Sequence, residues 1–312
     1  MSMYLIFMMS IMFICSSMSY WTMWLGLEMV NFFLIPWLME EKNVYKNSKI
    51  FFYFVVQVIA TGCFLLGAMN YKSMFFFWLL LTGMIIKLGS FPLHMWVLSV
   101  VENMNWKKFS FFMTMSKMGP ISVMTFINPM LSMVKLLWGG LMVPLMGLKT
   151  SSIRKMLAYS SIAHMSWIMI CIVLCKSLLL FFLASYWSIF IISCLMFNSH
   201  SSSSVKDLFY PSSMYLELFL ILCLMGFPPF LGFFPKLFTL KAMCFEGMMT
   251  ESVVVGILSI IPFFFYLKML IMMCMTFSYK NLSFISLKLY KKNFFLKILL
   301  FVLGMEIFCC CL

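Results

Sequence analysis

The chain has 312 residues, of which 64% are hydrophobic and only 10% are charged. A soluble domain averages about 25% charged residues, so this composition excludes a soluble globular protein and indicates a polytopic membrane protein. The formal net charge of +13 does not indicate a nucleic-acid-binding protein, because the cations lie mostly in short segments between apolar runs and form no single basic face. The heavy use of methionine and phenylalanine, 36 and 37 residues, is typical of an AT-rich gene and points to an organelle genome.

Apolar runs of membrane-spanning length predict an all-α polytopic fold with about eleven transmembrane helices. The segments between the runs are mostly short, so neighbouring helices should be antiparallel. The approximate cores of the predicted spans are residues 3–20, 22–39, 50–69, 74–97, 110–127, 130–147, 153–174, 177–197, 212–240, 252–276 and 294–311.

Lysine and arginine are divided unequally between the two sets of loops that eleven spans create. The loops after odd-numbered spans hold only Lys72, Lys176 and Lys241. By the positive-inside rule, the N-terminus then lies on the matrix or cytoplasmic side and the C-terminus lies on the opposite side. The loops after even-numbered spans hold thirteen cations, namely Lys42, Lys46, Lys49, Lys107, Lys108, Lys149, Arg154, Lys155, Lys206, Lys280, Lys288, Lys291 and Lys292.

The fourth span contains an interrupted stretch, KLGSFPLHMW at residues 87–96. Lys87 lies at hydrocarbon depth, where a lysine costs about 2.5–3.5 kcal/mol on insertion scales. Gly89 and Pro92 then interrupt the helix, and His94 follows at its restart. Lipid cannot satisfy the backbone groups that such a break frees, so the break should be buried in protein or line a wet cavity.

The ninth span carries a second break, GFPPFLGFFPK at residues 226–236, with Lys236 at the restart. The two breaks fall five helices apart, which predicts two five-helix repeats, residues 1–128 and 129–276. Because the repeat has an odd number of helices, its second copy is inverted, as in secondary transporters that bind ions at paired broken helices. Residues 277–312 are predicted to be a loop and a C-terminal transmembrane helix.

Buried ionisable groups suggest a path for protons. Desolvation disfavours the charged form of a lysine and a nearby carboxylate favours it, so a lysine with a movable acidic partner is a switchable proton binder. Glu28 and Lys87 are the predicted pair of this kind. The predicted relay continues through Lys117, His94, His164 and Lys236, with the two histidines titrating near neutral pH.

Structural interpretations of the same residues stay open. Glu28 and Lys87 are compatible with a buried ion pair that serves only packing. His164 is compatible with an ordinary core histidine, and Lys135 with a contact to lipid or to a partner. Intramembrane ionisable residues point to function by default, and several deep cations, one deep acid and two proline breaks favour the proton path.

The sequence contains no motif for a redox cofactor. There is no Gly-rich dinucleotide loop after a strand, no haem-type histidine pair and no cysteine cluster for an iron–sulfur centre among the 11 cysteines. We therefore expect no metal and no cofactor in this chain, and electrons that run in other chains if the protein belongs to an oxidoreductase.

Five stretches together resemble one known family, the chain 2 subunits of mitochondrial NADH–ubiquinone oxidoreductase. The stretches at 87–96 and 226–236 are similar to its K-L-G-x-x-P-F-H-x-W and G-x-P-P-x-x-G-F-x-P-K motifs. IRKMLAYSSIAHMSW at 153–167 looks like its most recognisable segment. WLGLE at 24–28 and SKMGP at 116–120 match its acidic helix and its second lysine helix. The resemblance covers nearly the whole chain.

The resemblance implies an antiporter-like subunit in the membrane arm of respiratory complex I, in the mitochondrial inner membrane with its N-terminus in the matrix and its C-terminus in the intermembrane space. It implies proton translocation by Glu28, Lys87, Lys117 and Lys236, with the two histidines as further links. NADH, FMN, iron–sulfur clusters and ubiquinone would be bound by other subunits. The implied partners are other membrane-arm subunits, including neighbouring antiporter-like chains, and lipids such as cardiolipin, with no nucleic acid.

Two other functions remain as alternatives to an energy-coupling subunit. A stand-alone cation/proton antiporter would use the same lysines and act without partners. A structural membrane scaffold would use the lysines only to pair with their neighbours, and it should tolerate Lys87→Met without loss of proton pumping.

Overall fold

A computed structural model of the chain describes residues 2–39, 44–102, 104–127, 129, 138–199 and 214–281. These residues are helical throughout, apart from short turns and a 3₁₀ segment at Trp138–Met142. The α-helices are α1 Ser2–Ser16, α2 Tyr20–Met39, α3 Val44–Met69, α4 Met74–Leu88, α5 Met95–Val101, α6 Trp106–Ile127, α7 Pro144–Gly147, α8 Ile153–Leu174, α9 Lys176–Ser199, α10 Met214–Met225, α11 Phe234–Phe245, α12 Met249–Leu258 and α13 Ile260–Asn281.

The helical, membrane-spanning class predicted from the sequence is confirmed. Within the described residues, five segments are long and apolar enough to cross a membrane, and three shorter apolar helices accompany them. The predicted span 294–311, most of the span 130–147, and Lys135 lie outside the described residues, so the count of eleven stays a prediction. The five long segments are Tyr20–Met39, Ser48–Met69, Ile153–Leu174, Lys176–Ser199 and Met249–Ile271.

Two predicted spans are less regular than their apolar length indicated. The described end of the sixth span consists of a 3₁₀ turn and the single turn α7, where Gly139, Gly140 and Pro144 interrupt the run. The tenth span is divided into α12 and α13 at Ser259. Pro262 explains this division, because its ring cannot coexist with a helical carbonyl four residues earlier, at Leu258.

Helices α3 and α4 approach each other closely through two glycines. A β-carbon on Gly83 would lie 2.6 Å from the Ala60 carbonyl oxygen and 2.8 Å from the Phe64 nitrogen. A β-carbon on Gly67 would clash in the same way with the backbone of Leu80. Small residues at such positions are the usual means by which helices pack inside a membrane, where apolar burial alone gives little attraction.

Helix α8 lies at the centre of the described fold. Most of its residues are buried, including the polar side chains of Ser160, Ser161 and His164. The outer helices instead present large apolar side chains outward, such as Met9 and Met12 on α1, as expected of surfaces that face lipid. The sequence therefore places an ionisable residue, His164, on the helix that is most completely surrounded by protein.

The first helix break is a Schellman motif, in which a residue with positive φ ends the helix. Gly89 follows α4 with a φ of 61°, a conformation that only glycine adopts without strain. Its N–H donates to the Ile86 carbonyl at 3.0 Å, and the N–H of Ser90 donates to the Ile85 carbonyl at 3.2 Å. The chain then passes through Pro92 and restarts as α5.

The second break repeats this arrangement. Gly226 follows α10 with a φ of 74°, and its N–H donates to the Cys223 carbonyl at 3.1 Å. The N–H of Phe227 reaches the Leu222 carbonyl at 3.4 Å, in the position that Ser90 takes at the first break. The predicted interruptions within 87–96 and 226–236 are thus both present, and both use the same type of cap.

Three of the basic loops meet at one end of the helices. Glu102, at the end of α5, accepts hydrogen bonds from Lys155 at 2.8 Å and from Lys49 at 3.2 Å. Its backbone carbonyl accepts a third hydrogen bond, from Arg154 at 3.3 Å. The loops after the second, fourth and sixth predicted spans therefore lie on the same side, as the distribution of cations predicted.

Candidate functional site

Buried lysines mark the candidate site. Lys87 on α4, Lys117 on α6 and Lys236 on α11 are only 6%, 5% and 9% exposed. None of them extends to an exposed surface, so the charged groups must find partners inside the protein. Glu28 on α2 is half-buried, which leaves one side of this carboxylate-bearing residue open.

Glu28 lies within electrostatic range of Lys87. Their charged groups do not approach within the 4.0 Å of an ion pair, and within the described residues the Lys87 ammonium donates no hydrogen bond. The two groups therefore form no direct ion pair in this structure, and their role in a proton path stays a prediction.

Lys117, His164 and Lys236 form the second part of the site. His164 interacts electrostatically with both lysines, and it lies against the backbone of Leu224 at the end of α10. Its ring packs against that of Tyr186 at an angle of 33°, with the centroids 4.2 Å apart. The histidine of the central helix is thus within electrostatic range of two buried lysines from different helices.

Lys236 binds the open end of a half-helix. Its ammonium donates a 3.0 Å hydrogen bond to the carbonyl of Met225, the last residue of α10. The C-terminal carbonyls of a helix have no partner within the helix and carry a partial negative charge, which suits an ammonium group. Gly226 makes this contact possible, since a β-carbon there would lie 2.6 Å from the lysine nitrogen.

His94 lies apart from this series. It is 3% exposed at the start of α5, and its Nδ1 contacts the Pro92 carbonyl at 3.1 Å. Its Nε2 is buried and has no hydrogen-bond partner among the described residues. The structure therefore brings Glu28 to Lys87 and brings His164 to Lys117 and Lys236, while His94 packs within its own helix break beside Phe91.

Sequence reasoning missed two polar residues of the site, Gln57 and Tyr186. Gln57 on α3 is 3% exposed. The sequence feature that could have identified it is a polar amide inside the apolar run from Phe51 to Gly62. Tyr186 on α9 carries a buried hydroxyl that has no hydrogen-bond partner among the described residues, beside His164. Nothing in the local sequence distinguishes this tyrosine from an ordinary core aromatic.

A family model described as NADH:quinone oxidoreductase/Mrp antiporter, transmembrane, matches residues 67–262, more than half of the chain. The chain belongs to this family. Its members include an Artemia franciscana protein named NADH-ubiquinone oxidoreductase chain 2, which is 31% identical over 263 residues. That alignment covers 81% of this chain and 84% of the relative.

Two solved structures share the fold of this NADH:quinone oxidoreductase/Mrp antiporter family member. A chain of respiratory complex I from Thermus thermophilus superposes with a TM-score of 0.75 at 19% identity, covering 85% of this chain and 68% of that one. A chain of the Mrp complex from Dietzia superposes with a TM-score of 0.74 at 15% identity, covering 86% and 59%. At these identities the likeness concerns the fold alone.

Proposed function

We propose that this chain is a membrane subunit of a proton-pumping NADH:ubiquinone oxidoreductase, complex I, in the mitochondrial inner membrane. The observation that carries the proposal is the 31% identity to the chain 2 protein of Artemia over four fifths of the chain. The buried lysines beside two broken helices agree with it, because charges at such depth are costly and mark ion pathways.

The proposed proton path has two parts. Glu28 and Lys87 form the first, and Lys117, His164 and Lys236 form the second. In support, Lys87 is within electrostatic range of Glu28, and His164 is within electrostatic range of both Lys117 and Lys236. His94, whose Nε2 has no hydrogen-bond partner among the described residues, is proposed as a further link in the path.

The chain is proposed to act without a cofactor of its own. NADH, FMN, iron–sulfur clusters and ubiquinone would be bound by other subunits, and the chain would couple their electron transfer to proton movement. Its proposed partners are other membrane-arm subunits and anionic lipids such as cardiolipin. The apolar outer faces of the helices suit such neighbours.

The proposed arrangement is two inverted repeats, 1–128 and 129–276, followed by 277–312. The matching Schellman motifs at Gly89 and Gly226 support it, since equivalent breaks are expected of two copies of one unit. The N-terminus is proposed to lie in the matrix and the C-terminus in the intermembrane space, because the basic loops cluster on one side.

Lys236→Met tests the proton path directly. We expect NADH-driven proton pumping to fall at least tenfold in membranes that carry this variant, while the complex stays assembled on a native gel. The matched control is Lys241→Met on the same helix, because Lys241 is exposed and lies over the ring of Phe245 instead of in the core. Equal pumping in the two variants would contradict the path.

The stand-alone antiporter is the second candidate, and the fold shared with an Mrp complex is the observation in its favour. An antiporter would exchange sodium or potassium for protons when the purified chain is placed in vesicles. We expect no such exchange, and we expect the chain to be stable only together with other hydrophobic subunits.

A further inference from the structure

A small polar cavity lies beside Lys87, between helices α2, α3, α4, α5 and α6. Its volume is about 20 Å³, and five of its lining residues are polar, namely Asn31, Tyr53, Gln57, Lys87 and Ser116. A single buried water needs roughly 10–15 Å³ of such space together with two to four polar partners. The cavity therefore has the size and the chemistry of a site for one water molecule.

The amide of Asn31 provides an independent indication of a ligand. Asn31 is 5% exposed, and its Nδ2 is buried without a hydrogen-bond partner among the described residues. A buried amide N–H without an acceptor destabilises the folded state, so we expect a group that accepts its hydrogen bond. The cavity that this residue lines is the available place for such an acceptor.

The other polar side chains provide the remaining partners. Within the described residues, neither the Lys87 ammonium nor the Gln57 amide forms a hydrogen bond, although both residues are more than nine-tenths buried. The Ser116 hydroxyl donates to the Phe112 carbonyl within its own helix, which leaves its oxygen able to accept a hydrogen bond. Donors and acceptors are thus both present around the cavity, and they come from four helices.

We propose that this cavity binds one ordered water molecule, and that Gln57 and Asn31 are positioning residues for Lys87. The water accepts hydrogen bonds from Asn31 Nδ2 and from the Lys87 ammonium. It donates to the carbonyl oxygen of Gln57 and to the hydroxyl of Ser116. Lys87 thereby has an uncharged set of partners in addition to the carboxylate of Glu28, which is not among the residues that line the cavity.

This water also ties Lys87 to the helix that carries Lys117, an extension that rests on the proposed function. Ser116 lines the cavity and belongs to α6, as Lys117 does. The lysine groups themselves share no direct contact. Gln57, on a helix that carries no member of the path, holds the bridge in place.

The first test is a structure of the whole complex by electron cryomicroscopy, at a resolution that shows ordered water. We expect a density peak in this cavity, within hydrogen-bonding distance of the Lys87 nitrogen and of Asn31 Nδ2. A dry cavity in the wild-type complex would overturn the site, whatever the outcome for Lys236→Met. The two proposals therefore fail separately.

The second test is Gln57→Met, which keeps the length of the side chain and removes its amide. We expect the water density to disappear and the number of protons pumped per NADH oxidised to fall at least twofold. The matched control is Thr61→Val, one turn along α3. Thr61 is equally buried, but its hydroxyl donates to Val58 of its own helix at 2.9 Å and does not line the cavity.

Asn31→Leu provides a second variant in case Gln57→Met does not assemble. The same loss of water and the same fall in pumping are expected, because the leucine fills the space and removes the donor. Normal pumping in assembled Gln57→Met and Asn31→Leu complexes would overturn the positioning role of these amides.

Discussion

Lys236 and Trp96 take corresponding places at the two helix breaks. Each belongs to the half-helix that restarts the chain, and each donates a hydrogen bond to a carbonyl near the end of the half-helix before it. The indole of Trp96 donates to Ile86 at 3.1 Å, and the ammonium of Lys236 donates to Met225 at 3.0 Å. The first break is therefore capped by a neutral group and the second by a charged one, although the backbone caps are the same.

Glu102 gives the clearest prediction for a residue outside the membrane-spanning segments. The hydrogen bond from Lys155 holds the pKa of this carboxyl below its ordinary value of 4.5, with Lys49 acting in the same direction and partial burial opposing both. Because the folded pKa lies below the unfolded one, the stabilisation is complete above about pH 4.5 and is lost as the pH falls through the folded pKa. The Glu102 side chain is 40% exposed, so screening limits the effect to about 1 kcal/mol or less.

Glu102→Gln should therefore lower the thermal stability of the purified complex slightly at pH 7, and the difference from wild type should shrink below pH 4.5 and vanish below the folded pKa of Glu102. The measurement is the midpoint of thermal inactivation at several pH values in low salt. Glu246→Gln is a suitable control, because Glu246 is exposed and forms no ion pair within the described residues. Identical midpoints for wild type and Glu102→Gln at pH 7 would contradict the role of this cluster.

The element that most clearly combines conformation and chemistry is the turn between α10 and α11. Gly226 is needed there twice, once for its φ of 74° and once because a β-carbon would displace the Lys236 ammonium. Gly247, after α11, has a similar φ of 79° but open space around its missing side chain. An alanine at Gly247 would add backbone strain alone, whereas an alanine at Gly226 would add the same strain and also displace Lys236.

We expect Gly226→Ala to reduce the protons pumped per NADH several-fold, because the added methyl group forces Lys236 away from the Met225 carbonyl. Gly247→Ala should keep the wild-type ratio and lose only about 1 kcal/mol of stability from strain. The measurement is the pumping ratio in assembled complexes. If the number of protons pumped per NADH fell equally in both variants, backbone strain would explain the result. The contact between Lys236 and Met225 would then not be needed for pumping.

The breaks could be predicted from the sequence because glycine and proline act locally. Glycine and proline occur together at each break, Gly89 with Pro92 and Gly226 with Pro228, whereas a single Gly83 or Pro120 stays inside its helix. The partners of the freed carbonyls could not be predicted in the same way. That Lys236 rather than a neighbouring side chain reaches Met225 depends on how the restarted helix packs.

The same distinction applies to the ionisable residues. Depth in an apolar run identified Glu28 and the three lysines, whereas the order in which they meet depends on helix packing. His94 contacts the Pro92 carbonyl within its own break, and its place in the relay stays a prediction. The polar cavity beside Lys87 could not be foreseen, because four helices contribute its polar side chains.

At the scale of the whole molecule, the contacts of Glu102 join three loops at one end of the helices. They connect the end of α5 with the starts of α3 and α8, across 53 residues in each direction of the sequence. Sidedness is therefore a property of the packed helices as well as of the charge distribution. Which aqueous compartment this end faces is the remaining prediction of the positive-inside rule.

Thiol labelling tests this orientation. Cys175, between α8 and α9, is exposed at the opposite end from Glu102 in the predicted topology. We expect an impermeant maleimide added to the outer face of the inner membrane to label Cys175 and not a Lys107→Cys variant, whose position is exposed beside the basic loops. Matrix-side reagent should give the reverse pattern, with Cys175→Ser as the control. Labelling of Lys107→Cys from the outer face would contradict the orientation.

The hydrogen bond between Lys236 and Met225 joins two half-helices that the backbone connects only through a turn. A hydrogen bond from a charged donor is roughly twice as strong as one from a neutral donor. The contact therefore holds the two half-helices together more strongly when Lys236 is protonated than when it is neutral. By thermodynamic reciprocity, a force that changed the angle between α10 and α11 would also change the proton affinity of Lys236, so the angle and the protonation of this lysine are coupled.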